Sequence, residues 1–165
     1  MLVLPYTLGF CLCGDRVLML YRNKPPNQNR WNGLGGKIER GETPRCNIYR
    51  EIMEEAEIDL HQAKVRFTGL VTWPCANDSA SRSGMYVFLA WVAPDTLWHE
   101  DRVVVEGLLA WKPLQWLYDP HNTLIVENIP CFLPRMLVEA KPQEYFFPDK
   151  GSMECLPLPA PCISG

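Results

Sequence analysis

The sequence predicts an α/β protein in which a mixed β-sheet lies between helical layers as an α/β/α sandwich. Three observations carry that expectation. Strand-length apolar runs and helix-length segments alternate without a regular order, which suits a sheet of mixed strand direction. Hydrophobic residues make up 47% and charged residues 21% of the chain, a balance that suits a packed core under a solvated surface. The 165 residues are enough for one domain with a real core. We expect that single domain over residues 1–150 and a proline-rich extension over 151–165.

Tyr6–Cys13 and Arg16–Tyr21 read as strands joined by a tight turn at Gly14-Asp15. Residues 22–30 are polar and include Pro25 and Pro26, so they read as a loop. Gly35-Gly36 and Gly41 bracket a short extended piece, Lys37–Arg40. Cys46–Ala56 reads as a helix, with Thr43 as N-cap and Pro44 in the first turn, where a missing N–H costs nothing. Lys64–Trp73 and Met85–Val92 read as strands, with the small polar residues Pro74–Gly84 as a surface loop between them. Leu108–Trp111 is expected as a short strand and Pro113–Leu117 as the start of a short helix. Thr123–Ala140 reads as mostly helical, with Pro130 and Pro134 interrupting or kinking it. Tyr145–Phe147 is expected as a last strand, and the tail from Leu156 as a loosely held extension.

Composition excludes several classes of function. The net charge of −3 argues against a binder of nucleic-acid polymers, which carries a basic stripe, but not against a free nucleotide whose charge a bound metal balances. Seven cysteines (11, 13, 46, 75, 131, 155, 162) show no paired CxxC spacing, so a zinc site is not expected. Cys11 and Cys13 share one face of a strand and read as small buried apolar residues, a usage that suits a reducing, cytoplasmic setting. The apolar start MLVLPYTLGFCLC lacks a basic region and a small-residue cleavage site, so it reads as a strand and not as a signal peptide. No apolar run is long enough to span a bilayer, and no membrane partner is expected.

The chemistry concentrates between Gly36 and Ile58, in GKIERGETPRCNIYREIMEEAEI. On a helix, Glu51, Glu54 and Glu55 fall at i, i+3 and i+4 and so share one face. Carboxylates grouped in this way repel one another. A solvated acidic face is the ordinary reading of such a charge run, whereas a hard divalent cation gives the cluster a use, because Mg²⁺ takes oxygen ligands and shares them with phosphates. Ile48 and Ile52 lie on another side of the helix and can anchor it. GLGGK is no P-loop, because Ile38 follows the lysine where Ser or Thr is needed.

This stretch resembles the Nudix box: Gly, five residues, Glu, seven residues, then Arg-Glu-apolar-any-Glu-Glu-any-Gly-apolar. Gly36, Glu42, Arg50, Glu51, Ile52, Glu54, Glu55 and Ile58 match that pattern, and Glu57 alone departs from it, standing where the box has glycine. RWNGLGGKIERGETP is similar to MutT and to the animal oxidised-purine triphosphatases, and the likeness runs from about Tyr6 to Leu137. The resemblance implies a Nudix fold with its loop–helix–loop. It also implies Mg²⁺-dependent hydrolysis of a small-molecule nucleoside triphosphate, 8-oxo-dGTP or a related oxidised purine nucleotide, to monophosphate and pyrophosphate, by a monomer or homodimer. Mn²⁺ is the alternative metal. Matched by position, the metal ligands are Glu51, Glu54, Glu55, the Gly35 carbonyl and Glu106, which lies five residues before Trp111 in EGLLAW. Glu54, Glu55 and Glu106 are the implied catalytic carboxylates, whereas Gly36, Glu42 and Arg50 are implied to brace loop and helix.

Lys37 and Arg22 match phosphate-facing cations of the family, and Asn32 and Asn128 match base-reading asparagines, whose amides both donate and accept. Asn128 could equally cap a helix. Trp31 and Trp73 could stack on a base or fill core. Where the animal enzymes carry an acidic pair this chain has Glu127 and Asn128. Pro74, 16 residues after Ile58, leaves ADP-ribose or nucleotide-sugar hydrolysis as an alternative, and a non-catalytic nucleotide-binding module is a third reading. Glu57 at the helix end must adopt or avoid a left-handed conformation, at a cost of about 1 kcal/mol.

Overall fold

The computed structural model describes residues 1–160, with the backbone alone at residue 79. Chain order is β1 (Leu2–Cys13), β2 (Arg16–Arg22), β3 (Trp31–Asn32), α1 (Pro44–Ala56), β4 (Lys64–Cys75), β5 (Asp78–Trp91), β6 (Arg102–Val104), β7 (Gly107–Pro113), α2 (Leu114–Leu117), α3 (Ile129–Val138), β8 (Gln143–Phe146) and β9 (Glu154–Leu156). The strands form one sheet in the order β6-β7-β2-β1-β5-β4-β8-β9, with β3 paired to β2. β1 runs parallel to β5 and β4 parallel to β8, while the remaining pairs are antiparallel, so the sheet is mixed as the sequence predicts.

Alternation along β1 sends its side chains to two cores. Phe10 and Leu12 join Ile129, Phe132, Leu133 and Met136 of α3 on one face. Cys11 joins Ile48 and Ile52 of α1 on the other. Gly9 shares that second face, and a Cβ there would lie 2.8 Å from Ile48 Cδ1 and 2.9 Å from Ile52 Cδ1. The small residues at 9, 11 and 13 thus let α1 approach the sheet. Burying Ile48 and Ile52 completely contributes roughly 1.5–3 kcal/mol each to that docking.

The helix α1 starts as expected: Thr43 Oγ1 accepts from the Cys46 N–H at 3.1 Å, and Pro44 occupies the first turn. At its other end Glu57 takes the left-handed conformation, φ 57° and ψ 32°, and donates its backbone N–H to Met53 O at 3.0 Å.

Several boundaries differ from the sequence expectation. β1 begins at Leu2, because Leu2 and Val3 pair with Arg82 and Ser83. That pairing also removes the expected loop at 74–84, which is instead a hairpin in which β4 and β5 continue to Cys75 and Asp78. Backbone pairing on both sides holds these small polar residues extended without an apolar stripe. Residues 123–128 are not helical. Ile125 bridges to Trp31 and the Val126 N–H donates to Trp31 O at 2.9 Å, so Pro130 opens α3 instead of interrupting it. The boundary placed after residue 150 does not separate the tail from the sheet, because β9 pairs with β8. Residues 161–165, Cys162 included, lie outside the described residues. Among the described residues, Cys11 and Cys13 are buried and unpaired, and no helix is long and apolar enough to cross a membrane.

Glycine at position 57 would adopt the left-handed angle without the Cβ penalty. Glu57→Gly is expected to stabilise the protein by about 1 kcal/mol, read as a rise in Tm of about 2–4 °C.

Candidate active site

The site begins where the 34–38 segment is zipped onto the start of β1. Gly9 and Leu34 exchange backbone hydrogen bonds at 2.6 and 2.9 Å, Thr7 N–H donates to Gly36 O at 2.9 Å, and Ile38 N–H donates to Pro5 O at 2.9 Å. Both glycines are needed for the closeness of this contact. A Cβ on Gly35, which has φ 145°, would lie 2.3 Å from Thr7 O. One on Gly36 would lie 2.5 Å from Glu51 Oε1, so the glutamate carboxylate rests against bare backbone.

Arg50 ties this segment to α1. Its Nε donates to Glu42 Oε1 at 3.0 Å and its Nη2 to Glu42 Oε2 at 3.1 Å, a two-pronged pair. Nη1 of the same guanidinium lies 3.0 Å from Glu51 Oε1 and 3.1 Å from Glu54 Oε2. Glu42 also accepts from Asn47 Nδ2 at 2.8 Å and from the Glu39 N–H at 3.0 Å. Hydrogen bonding from Arg50 holds the Glu42 carboxyl down at about 2, against the cost of burial. The same bond holds the Arg50 guanidinium above its ordinary value.

Glu55 has the opposite environment. It is 7% exposed and its Oε2 accepts from the Gly35 N–H at 3.1 Å, with no cation at ion-pair distance among the described residues. Burial, reinforced by the charges of Glu51 and Glu106, pushes its carboxyl up to about 8, and Gly35 and Arg22 only partly oppose this. Burial likewise raises Glu51, with Arg50 opposing.

The charge of Glu106 is felt at Glu55, which brings Glu106 within electrostatic reach of the same site. It occupies the turn between β6 and β7, where its carbonyl accepts from the Asn23 N–H at 2.9 Å. The next residue must be glycine, because a Cβ on Gly107 would fall 1.8 Å from Tyr21 O. Arg22 pairs with Gly107 across the strands and donates Nε to Pro26 O at 2.8 Å. Lys37 is exposed, and its carbonyl accepts from Asn47 at 2.9 Å.

The candidate base-reading residues are separated. Asn128 sits before α3 and makes no side-chain cap bond, so the capping role does not hold. It lines an open cavity of about 850 Å³ with Trp73, Glu127, Arg30, Cys131 and Phe147. Asn32 is not among the residues lining that cavity, and its Oδ1 turns back to accept from the Gly33 N–H at 2.9 Å. Trp31 is buried against Tyr21 and Trp116, which makes it core, whereas Trp73 faces the cavity.

Asn47 was not among the residues expected at the site. Its signal was present in the sequence, because Asn47, Glu51 and Glu55 follow at i, i+4 and i+8 on one helix face, beside the buried Ile48. Asparagine is a poor choice for a helix interior unless its amide has partners.

All the acidic groups here offer oxygen, the donor type a hard divalent cation takes. Among the described residues, no three acidic, histidine or cysteine side chains converge at ligand distance in this arrangement. The Arg50 guanidinium lies against Glu51 and Glu54, and a buried carboxylate at Glu55 is left without a counter-charge.

The NUDIX domain family model matches residues 4–134 of the chain. Among curated proteins, the chain is similar to the oxidized purine nucleoside triphosphate hydrolase of Mus musculus, 38% identical over 55 residues. That alignment covers 33% of this chain and 35% of the mouse protein, so it spans about a third of that relative's length. Among solved structures, the Mutator MutT protein from Bacillus halodurans superposes with a TM-score of 0.66 at 22% identity, covering 92% of this chain and 93% of that one. The MutT protein from Methanosarcina mazei Go1 gives 0.62 at 18% identity, covering 82% of this chain and 92% of that one. The NUDIX domain of Shewanella oneidensis NrtR, complexed with ADP ribose, gives 0.60 at 14% identity, covering 82% of this chain and 86% of that one. At these identities the superpositions establish the fold alone.

The environment of Glu55 has a measurable consequence. A carboxyl with a higher pKa folded than unfolded binds protons more readily in the native state. Its contribution therefore lowers stability as pH rises from the ordinary value of 4.5 to about 8, and levels off above that. In metal-free protein, Glu55→Gln is expected to have a higher Tm than the parent by the widest margin at about pH 9. The two Tm values should converge below about pH 5 in thermal melts across that range.

Proposed function

We propose that this chain, which belongs to the NUDIX domain family and is a hydrolase of pyrophosphate bonds, acts on a purine nucleoside triphosphate, of which oxidised purines such as 8-oxo-dGTP are the first to test. The products on this reading are a nucleoside monophosphate and pyrophosphate. The observation that supports it above the others is Glu55, a carboxyl raised by burial and further by the charges of Glu51 and Glu106, and bonded to the Gly35 N–H. Such a group is stabilised when a cation arrives. Nudix hydrolases use divalent metals, and Mg²⁺ or Mn²⁺ fits an all-oxygen donor set made of Glu51, Glu54, Glu55, the Gly35 carbonyl and Glu106.

A divalent cation held there would neutralise charge on the phosphates and make the attacking water more acidic. The protein's own groups do the rest. Glu54, exposed at the rim, Glu55 and Glu106, in the turn before β7, are the carboxylates that would take the proton from the attacking water. Arg22, whose charge is felt at Glu55, and the exposed Lys37, next to Gly36, would draw the phosphates in. Glu42 and Arg50 keep the helix face fixed against Gly36 and take no proton. The cavity with Trp73, Glu127 and Asn128 suits a purine: the ring offers a stacking face, and carboxylate and amide match donors and acceptors on a base edge. Asn32 would join base recognition only by releasing the Gly33 N–H. The mouse relative is an oxidized purine nucleoside triphosphate hydrolase, which agrees with this reading.

A panel of 8-oxo-dGTP, dGTP, ATP and ADP-ribose with Mg²⁺, scored by products, tests it. Pyrophosphate with a purine monophosphate is the expected result. AMP plus ribose phosphate from ADP-ribose with untouched triphosphates would sink it, and so would nucleotide binding without turnover. Glu54→Gln is expected to lower kcat by about 10²–10³-fold. Asn128→Ala is expected to raise the KM of the preferred purine triphosphate about tenfold with kcat little changed, the loss of one or two hydrogen bonds.

A further inference from the structure

We propose that Asn47 is a positioning residue for the glutamate face of α1, acting as a latch that joins β1, the 34–38 segment, Glu42 and the helix through one buried amide. The proposal rests on the reading of Glu51, Glu54 and Glu55 as the metal-holding residues. Asn47 is completely buried. Its Nδ2 donates to Lys37 O at 2.9 Å and to Glu42 Oε2 at 2.8 Å, which uses both of its N–H groups. Its Oδ1 accepts from Thr7 Oγ1, which is itself buried in β1. Its backbone N–H donates to Thr43 O at 2.9 Å in the first turn of α1. One side chain therefore ties α1 to three separate pieces of the structure, and no described polar group around it lacks a partner.

Two routes run from this latch to the glutamates. Along the helix, Glu51 and Glu55 follow Asn47 by one and two turns on the same face, so a shift of α1 against β1 moves their carboxylates directly. Through side chains, Asn47 helps hold Glu42, Glu42 holds Arg50, and Arg50 lies against both Glu51 and Glu54. The tolerance for movement is small. The Glu51 carboxylate fills the space a Gly36 Cβ would need, and Glu55 reaches the Gly35 N–H at 3.1 Å. Packing alone does not call for an amide here, because the neighbours Ile48 and Ile52 already anchor the helix with apolar contacts.

The test compares Asn47→Ala, Thr7→Val and Thr7→Ser with the parent. Each protein is titrated with Mn²⁺ alone, followed by electron paramagnetic resonance, and then assayed on the nucleotide panel. Asn47→Ala is expected to weaken Mn²⁺ binding about tenfold and to lower kcat about 10²-fold, with the nucleotide KM within about twofold, as for catalytic groups displaced by a fraction of an ångström to one ångström. Thr7→Val, which leaves Asn47 in place, should move both readings in the same direction, and Thr7→Ser should restore them. A fall in Tm with Mn²⁺ affinity and kcat both within twofold of the parent overturns the proposal, as does a parent protein that binds no Mn²⁺. If Asn47→Ala does not fold, Thr7→Val with unchanged Mn²⁺ affinity overturns it in the same way. Failure of the substrate reading shows separately, as a parent that binds Mn²⁺ but turns over no triphosphate.

Discussion

The structure depends on the pairing of Arg50 with Glu42. One guanidinium meets one carboxylate through two hydrogen bonds, and its remaining nitrogen faces Glu51 and Glu54. Without a cation between them, three carboxylates within one and a half turns would unwind the end of α1 or splay their side chains. Arg50 removes much of that repulsion while its other face fastens the helix to the chain that enters it. Arginine suits both tasks, because its rigid fork meets a carboxylate in two places and stays charged at any working pH. The pair is only partly buried, so its value lies in geometry more than in net stability.

Around that pair the fold is arranged for close approach. Gly9 lets α1 settle on β1, Gly35 lets the 34–38 segment lie against Thr7, Gly36 makes room for Glu51, and Gly107 lets the turn bearing Glu106 fold back on Tyr21. At Gly35 and Gly107 a methyl group would collide with backbone that cannot give way cheaply, and at Gly9 and Gly36 it would displace the side-chain ends of Ile48, Ile52 and Glu51. The sheet fixes the rest. β1 carries the zipped segment and β2 ends at Arg22, while β7 begins beside it just after Glu106, so groups distant in sequence reach Glu55 from two directions. A carboxylate on the helix and one on a hairpin turn thus come within electrostatic reach of each other without any long loop.

Much of this was legible in the sequence, for physical reasons that differ by residue. The spacing of Gly36, Glu42, Arg50, Glu51, Glu54 and Glu55 is local, and local patterns survive folding because helix periodicity sets which side chains face together. Thr43 and Pro44 marked the helix start, whereas the sequence left both endings open at Glu57, which takes the left-handed one. The 74–84 segment was misread because its pairing is long-range: Leu2 and Val3 on one side and β4 on the other hold it, and its own small polar residues carry no alternation. The residues before Asn128 were misread as helix because Pro130, after an apolar run, looks the same whether it interrupts a helix or begins one, whereas Pro134 does lie inside α3. Asn47 carries a signal in the sequence, an amide inside a helix on the glutamate face, but its partners Thr7, Lys37 and Glu42 come together only in the tertiary structure.

The contrast between Glu42 and Glu55 shows how one helix and its loop divide two tasks. Glu42 receives four donors and ionises readily, so it is structural at every pH at which the protein works. Glu55 receives a single backbone N–H in a buried place and resists ionisation. An arginine beside Glu55 would cure that resistance permanently and leave nothing for a ligand to do. Arg50 instead stops at Glu51 and Glu54, one turn short. On the reading that a divalent cation belongs here, the uncompensated carboxylate makes the folded chain less stable alone than with its metal. Metal binding then adds stability in proportion to its own affinity.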